Sequence, residues 1–305
     1  MGAKKAVRAS RGDRLFVAVN GAILVLLFVL LLYPLLFVLS ASISDPALVN
    51  AGEVILLPKQ VTLDGYRRVL QDPEIWLGYG NTIFYTIFGT VFNLCATLPC
   101  AYALSRKDLI GRNAVMTVFL FTMYFSGGLI PGYLNIRDFG LLNTRLALLI
   151  GGLVSTYNLV VCRTFFATTI PWEMQEAARV DGASDIRTFL SIIFPLSKPI
   201  IVVMALYYGV GHWNNYFSAM IYLRDRELYP LQLFLREILI QTQISAAMLG
   251  EAVDPDSAQA MAQQANEANL IKYCVIVIAT VPMMAIYPWL QKFFVKGVMI
   301  GSVKG

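Results

Sequence analysis

Six long, mostly apolar runs divide this chain, and most of the charged residues are gathered into the stretches between them. The runs lie at 15–43, 76–104, 114–133, 146–166, 199–223 and 271–290. Each is near or above the roughly 20 residues that a helix needs to cross about 30 Å of hydrocarbon, so the pattern predicts six membrane-spanning helices. The first run follows Lys4, Lys5, Arg8, Arg11 and Arg14. It is far longer than the apolar core of a cleaved leader, roughly 7–15 residues, and therefore reads as a span. Six spans put both ends of the chain on one side.

Between the fourth and fifth runs the pattern changes from uniform to periodic. Pro171 suits a first helical turn, where its missing N–H costs nothing, and Glu173 follows at the positive end of the helix dipole. This helix is expected to run to Asp181, with Met174, Ala177 and Ala178 forming a narrow face and Glu173, Glu176 and Arg179 pointing elsewhere. Gly182 breaks it, and Ser184 with Asp185 forms an N-cap for a second short helix. In that helix Ile186, Phe189, Leu190 and Ile193 are expected on one face, and Pro195 to end the run.

Charge orients the pattern. The amino-terminal arm (1–14), the loop 105–112, the central module and a tail (296–305) are basic or carry most of the short-loop Lys and Arg, which predicts that they are cytoplasmic. On the opposite side Asp45, Glu53, Asp64, Asp72 and Glu74 outnumber Lys59, Arg67 and Arg68, and the long loop 224–270 carries Glu251, Asp254, Asp256 and Glu267. Within that loop, 229–240 is patterned to lie along a surface and 257–269 is polar and compatible with a helix. It is either a partner surface or a lid on its own helices. The six-span region is taken as 15–295.

Composition agrees. With 57% hydrophobic and 14% charged residues and a mean hydropathy of +0.64, the chain is an all-α integral membrane protein in expectation. The net charge of +5 does not point to nucleic acid, because Lys and Arg sit at segment ends instead of on one face. Cys95, Cys100, Cys162 and Cys274 lie in apolar stretches without metal-ligand spacing and read as small core residues. His212 is the lone histidine, which leaves no material for a His-based metal site or a Ser-His triad. There is no Gly-x-x-x-x-Gly-Lys-Ser/Thr loop, so no nucleotide is expected to bind this chain.

The fifth run carries the richest polar cluster. Trp213, Asn214, Asn215 and Tyr216 offer an aromatic face for a sugar ring and amides for its hydroxyls. The alternative is interhelical hydrogen bonding with an aromatic belt, and the residues alone do not separate the two. Asn81, Thr82, Asn93, Ser155, Thr156 and Asn158 are weaker candidates, most of them read as bonds between helices.

Glu176, Ala177 and Ala178, then Gly182, then Ile192, Ile193, Phe194 and Pro195 closely resemble the motif of the integral-membrane subunits of ATP-binding-cassette importers. In that family Glu-Ala-Ala, a glycine and a later Ile-x-Leu-Pro form the coupling loop; Phe194 stands here where leucine is usual. Residues 180–184, 195–199, 211–214 and 291–305 look like the carbohydrate-uptake branch, and the resemblance covers nearly the whole chain. It implies six transmembrane helices of the type I importer permease fold, with a cytoplasmic helix-turn-helix coupling loop at 169–198. Glu176, Ala177, Ala178, Asp181, Gly182 and Pro195 would then meet the ATPase subunits, and the tail would touch them too.

The implied partners are a second permease subunit, two ATP-binding cassettes that hold ATP and magnesium, and an external solute-binding protein that delivers a carbohydrate. The implied location is the bacterial inner membrane, with both termini cytoplasmic. Residues 123–131 and 231–240 further resemble permeases for oligosaccharides from plant or algal polysaccharides, uronate-containing ones among them. Two rivals are weaker. An ion-gradient secondary transporter would be expected to show an inverted repeat and mid-membrane acids, and against an intramembrane enzyme stand the lone His212 and the lack of a paired-acid or metal motif.

Overall fold

The computed structural model describes residues 10–249, 266, 268–286 and 288, and no strand occurs among them. Lys4, Lys5, Arg8, Glu251, Asp254, Asp256, Glu267 and the tail, with which the charge asymmetry was read, lie outside the described residues. The chain divides into two compact units, one holding 10–71, 238–249, 266 and 268–278, the other 72–237, 279–286 and 288.

In the first unit, α1 (Arg11–Ser42) starts from a reciprocal cap in which Ser10 Oγ accepts from Asp13 N–H and the Asp13 carboxylate accepts from Ser10 N–H. Its most apolar stretch is unburied, as expected of a helix that is hydrophobic all round and meets lipid. Its last turn alone is buried, at Ser40, Ala41 and Ser42. The short α2 (Pro46–Asn50) and α3 (Asp64–Gln71) follow it. Ser42 Oγ bonds Tyr66 Oη at 2.8 Å, and Cys274 Sγ donates to Ser42 O at 3.2 Å. The side chain of Asn50 is hydrogen-bonded to those of Asn266 and Asn269.

The second unit is organised on α4 (Pro73–Ser105), a 33-residue helix opened by Asp72, whose carboxylate accepts from Glu74 N–H. After it come α5 (Arg112–Tyr124), α6 (Leu129–Asp138), α7 (Arg145–Ile150), α8 (Thr156–Thr169), α9 (Trp172–Val180), α10 (Asp185–Thr188) and α11 (Phe194–Leu196). They continue with α12 (Lys198–Trp213), α13 (Phe217–Tyr222) and α14 (Leu231–Leu249). The final described helix is α15 (Ala268–Ile286). Helices α7, α8 and α12 all pack on α4. The core so formed joins Leu98, Ala101 and Tyr102 of α4 to Leu159, Cys162 and Phe166 of α8 and Met204 of α12. Cys162 and Cys274 are the buried small residues expected, whereas Cys95 is exposed.

Six apolar runs do not become six straight helices. Among the described residues, helices α1, α4 and α15 are each long and apolar enough to cross a membrane unaided, and two bent pairs would raise the number to five. The run at 114–133 is broken at 125–128, and α5 and α6 diverge by 116°. The run at 146–166 is broken at 151–155, where Gly152 takes φ +80°, a conformation that L side chains rarely adopt. The run at 199–223 is broken at 214–216, where Asn215 Oδ1 accepts from Ser218 N–H and starts α13. A hydropathy average is blind to all three, because the three to five residues of each break are diluted by the apolar residues on either side.

Candidate coupling module

Residues 171–197 form the two-helix unit that the sequence predicts. Pro171 is the N-cap of α9 with an extended backbone. At the other end Gly182 N–H donates to Arg179 O (3.0 Å) and Ala183 N–H to Ala178 O (2.9 Å). These are the two bonds of a Schellman cap, with Asp181 as the C-cap residue. Gly182 has φ +74°, so a Cβ there is strained whatever space surrounds it. Ser184 Oγ then accepts from Arg187 N–H and opens α10.

Two details depart from the periodicity. Ala178 is buried and Met174 half-buried, but Ala177 faces outward, so the inward face of α9 is narrower than expected. Helical backbone also does not stop at Pro195. A wide π turn spans Phe189–Ile193, Phe194 N–H reaches back to Phe189 O, and the helical path ends only after Leu196. The chain then bends by 83° at Ser197, whose N–H and Oγ both bond Ile193 O. Thr188 and Ile193, five positions apart, are the inward residues of this arm. Ile186 and Leu190, expected on one face with Phe189 and Ile193, are 74% and 57% exposed while Ile193 is buried, because the five-residue turn at Phe189–Ile193 does not keep the 3.6-residue register.

A second loop holds the module. Arg106, just past the end of α4, grips Asp108 with Nε (2.9 Å) and Nη2 (2.6 Å) and reaches Asp185 of α10 with Nη1 at 2.6 Å. Arg179 of α9 places Nη2 2.6 Å from the same Asp108 carboxylate. The Arg106 side chain is only 11% exposed, so this pairing is partly withdrawn from solvent. Hydrogen bonds from Arg106 hold the Asp108 carboxyl well below the usual carboxylate range, and Asp108 in turn pushes the Arg106 guanidinium up. Tyr102 Oη donates to Gln175 Oε1 at 3.3 Å, and Arg112 Nη1 to Arg106 O at 2.7 Å.

The carboxyl-terminal end of α4, the loop and both module helices are thus one connected piece. Sequence reasoning took Arg106 and Asp108 only as loop charges. The available signal was a lone acid, Asp108, among the basic residues of 105–112, opposite a module that carries both Arg179 and Asp185. Glu176, left free by the same reasoning, accepts from Trp172 Nε1 at 2.7 Å. Its residue is still exposed, as are Ala177 and Asp181.

The four polar residues of the fifth run are not brought together. Trp213 is buried, its Nε1 donates to Ala279 O of α15 (3.1 Å), and its ring meets Tyr79 edge-on. Asn214 Nδ2 turns back to Val210 O, and Tyr216 lies under the Arg236 guanidinium. Asn215 lines a different cavity from Trp213 and Asn214. The bonds that do converge come from α4 and α12. Asn93 Nδ2 donates to Leu153 O (2.8 Å) and Gly152 O (3.3 Å), while its Oδ1 accepts from His212 Nε2 at 2.6 Å. Tyr208 Oη accepts from Ser155 N–H (3.1 Å) and bonds Thr97 Oγ1 at 2.7 Å. Two carbonyls and one N–H of the segment between α7 and α8 are therefore bonded by side chains from two other helices.

Comparison with known proteins supplies the family context. The profile described as "Binding-protein-dependent transport system inner membrane component" matches residues 75–300. Protein LplC of Bacillus subtilis (strain 168) is 38% identical over 294 residues, covering 95% of this chain and 93% of that protein. The polygalacturonan/rhamnogalacturonan transport system permease protein YtcP of the same organism is 36% identical, covering 96% and 99%. A chain in the crystal structure of a bacterial ABC transporter involved in the import of the acidic polysaccharide alginate superposes with a TM-score of 0.83. It is 37% identical, and the match covers 95% of this chain and all of that one.

Proposed function

The chain belongs to the family of inner-membrane components of binding-protein-dependent transport systems, among the sugar ABC-importer permeases, and from that premise we propose that it forms half of an ATP-driven oligosaccharide path, coupled through residues 171–197. Its partners in this reading are a second permease, two ATPase subunits that bind ATP and magnesium, and an external solute-binding protein that docks on the loop 224–270. Both termini are cytoplasmic, and the tail meets the ATPases. The solute is an oligosaccharide from a plant or algal polysaccharide, with uronates included because relatives are named for polygalacturonan, rhamnogalacturonan and alginate.

The clamp centred on Asp108 is the observation that supports coupling. A surface helix tied to the rest by one flexible linker would absorb a displacement. Here α9 is tied to the loop through Arg179, α10 through Asp185, and the loop continues without interruption into α4. Closure of the ATPase pair would push the exposed face of α9, with Glu176 and Ala177, and the clamp would carry the movement into α4. Helices α7, α8 and α12 pack on α4 and would be displaced with it.

The test is to substitute the module without touching a span. A branched residue at a left-handed position costs about 1–2 kcal/mol, so Gly182→Val tilts α9 against α10. Glu176→Lys reverses the charge that α9 presents to its partner. Both variants should reach the membrane at wild-type levels, lose solute-stimulated ATP hydrolysis or the ATPase subunits themselves, and fail to transport. Wild-type uptake by both would remove the module from the mechanism.

A further inference from the structure

Two of the helix breaks open onto one cavity. It has a volume of about 620 Å³, and its wall includes Gly151 and Gly152 from the first break, Asn215 from the second, Ser218 and Tyr222 of α13, and Asn135 of α6. Non-helical backbone at membrane depth persists only where protein covers it or where it lines a water-filled space. The space at Gly152 is open: a Cβ built on it would meet no atom within 4 Å.

The polar groups on this wall are unspent. Asn215 Oδ1 is engaged by Ser218 N–H, which leaves its Nδ2. The Asn135 amide, Ser218 Oγ and Tyr222 Oη make no hydrogen bond to any described residue. Tyr222 also stacks on Tyr133, with ring centroids 6.4 Å apart and planes 19° from parallel, so its ring is braced. Amides, hydroxyls and a braced aromatic ring match the hydroxyls and the apolar C–H face of a sugar. No lining residue is ionisable as an acid or a cation near neutral pH.

We infer that this cavity is a subsite for one neutral pyranose face of the passing solute, held by Asn135, Asn215, Ser218 and Tyr222, and that it makes no ion pair with a carboxylate. The inference rests on the importer reading and moves the sugar contacts of this chain away from Trp213 and Asn214. A uronate would have its charge handled outside this cavity.

The test uses Ser218→Cys in the complete complex with both permeases and the ATPases, and reads the labelling rate above that of the unsubstituted complex. The probes are a methanethiosulfonate carrying glucose, one of similar size carrying ethylene glycol, and one carrying a carboxylate. The glucose reagent should react about fivefold faster than the glycol reagent, the factor that one net hydrogen bond gives, and the carboxylate reagent no faster than the glycol. Tyr222→Phe in the Ser218→Cys chain should bring the glucose-to-glycol ratio to about one. Asn135→Cys serves as a second reporter, and co-purification of the ATPases shows that each variant is assembled.

Absence of labelling at both positions would mean that protein or lipid fills the cavity. Equal glucose and glycol rates, or a faster carboxylate reagent, would mean that it does not recognise a neutral sugar face. Any of these overturns the subsite. The importer reading is judged separately, by solute-stimulated ATP hydrolysis and uptake in the unsubstituted complex.

Discussion

At 181–184 the chain turns between two short helices at an exposed surface, and at 151–155 it turns between two helices packed on α4. Both turns pass through a glycine in the left-handed region, Gly182 and Gly152. They are secured by different chemistry. The first is held by charge, with Arg106, Asp108, Arg179 and Asp185 in one chain of pairs. The second is held by neutral groups, the Asn93 amide and the Tyr208 hydroxyl. Solvation explains the choice. A partly exposed ion pair keeps some water, while an ion carried into hydrocarbon loses nearly all of its hydration. In the proposed mechanism the two also have different roles, the first junction transmitting a push and the second keeping a broken helix in place.

The largest effect expected from breaking this comparison is at Asn93. Asn93→Ala leaves two carbonyls and the His212 Nε2–H without their partner in a partly buried setting, at up to about 1–3 kcal/mol for each group that water does not reach. The complex should lose several degrees of thermal stability, followed by fluorescence-detected size exclusion after heating, and yield should fall. A variant as stable as wild type would show that water or a neighbouring group replaces the amide.

Asp108→Asn should act differently. It removes the anion shared by Arg106 and Arg179, at about 1–3 kcal/mol for charge-assisted bonds of this kind, without opening a cavity. Assembly should persist while solute-stimulated ATP hydrolysis drops severalfold, and raised salt should weaken the wild type toward the variant. If thermal stability fell as far as in Asn93→Ala and stimulation did not, the clamp would be structural and not a transmitter.

The smallest effect expected is from acid. The Asp108 carboxyl is held below its unfolded value, so its stabilisation is complete above the ordinary carboxylate pKa, near 3.9, and fades only as pH falls through the depressed native value. Amide hydrogen exchange of α9 and α10, corrected for intrinsic rates, should therefore be flat from pH 7 to about pH 5. A loss of protection in that window would mean that Asp108 is not held by its two arginines.

Much of the module was legible in the sequence because its determinants are local. Ser184 caps α10 from a few residues away, and Gly182 meets a backbone requirement set by its own neighbours. Trp213 shows the opposite. Its type left a sugar contact and an interhelical bond equally open, and Ala279, 66 positions on, takes its N–H. Asn93 is similar: what it does depends on Leu153, 60 positions away, and His212, 119 away.

The sequence by itself determined that this chain lives in a membrane, that its regular structure is helical, and that a two-helix unit starting at Pro171 turns at Gly182. Those properties follow from composition, from the period of the apolar residues and from capping groups within one turn of where they act. Tertiary structure alone decided where the apolar runs break, which charges pair across the loop at 105–112, and which polar side chains stay free to face a cavity. A run of apolar residues does not specify where a backbone carbonyl will find its donor when that donor stands on another helix. Packing on α4 brings the donor there, and with it the position of each break.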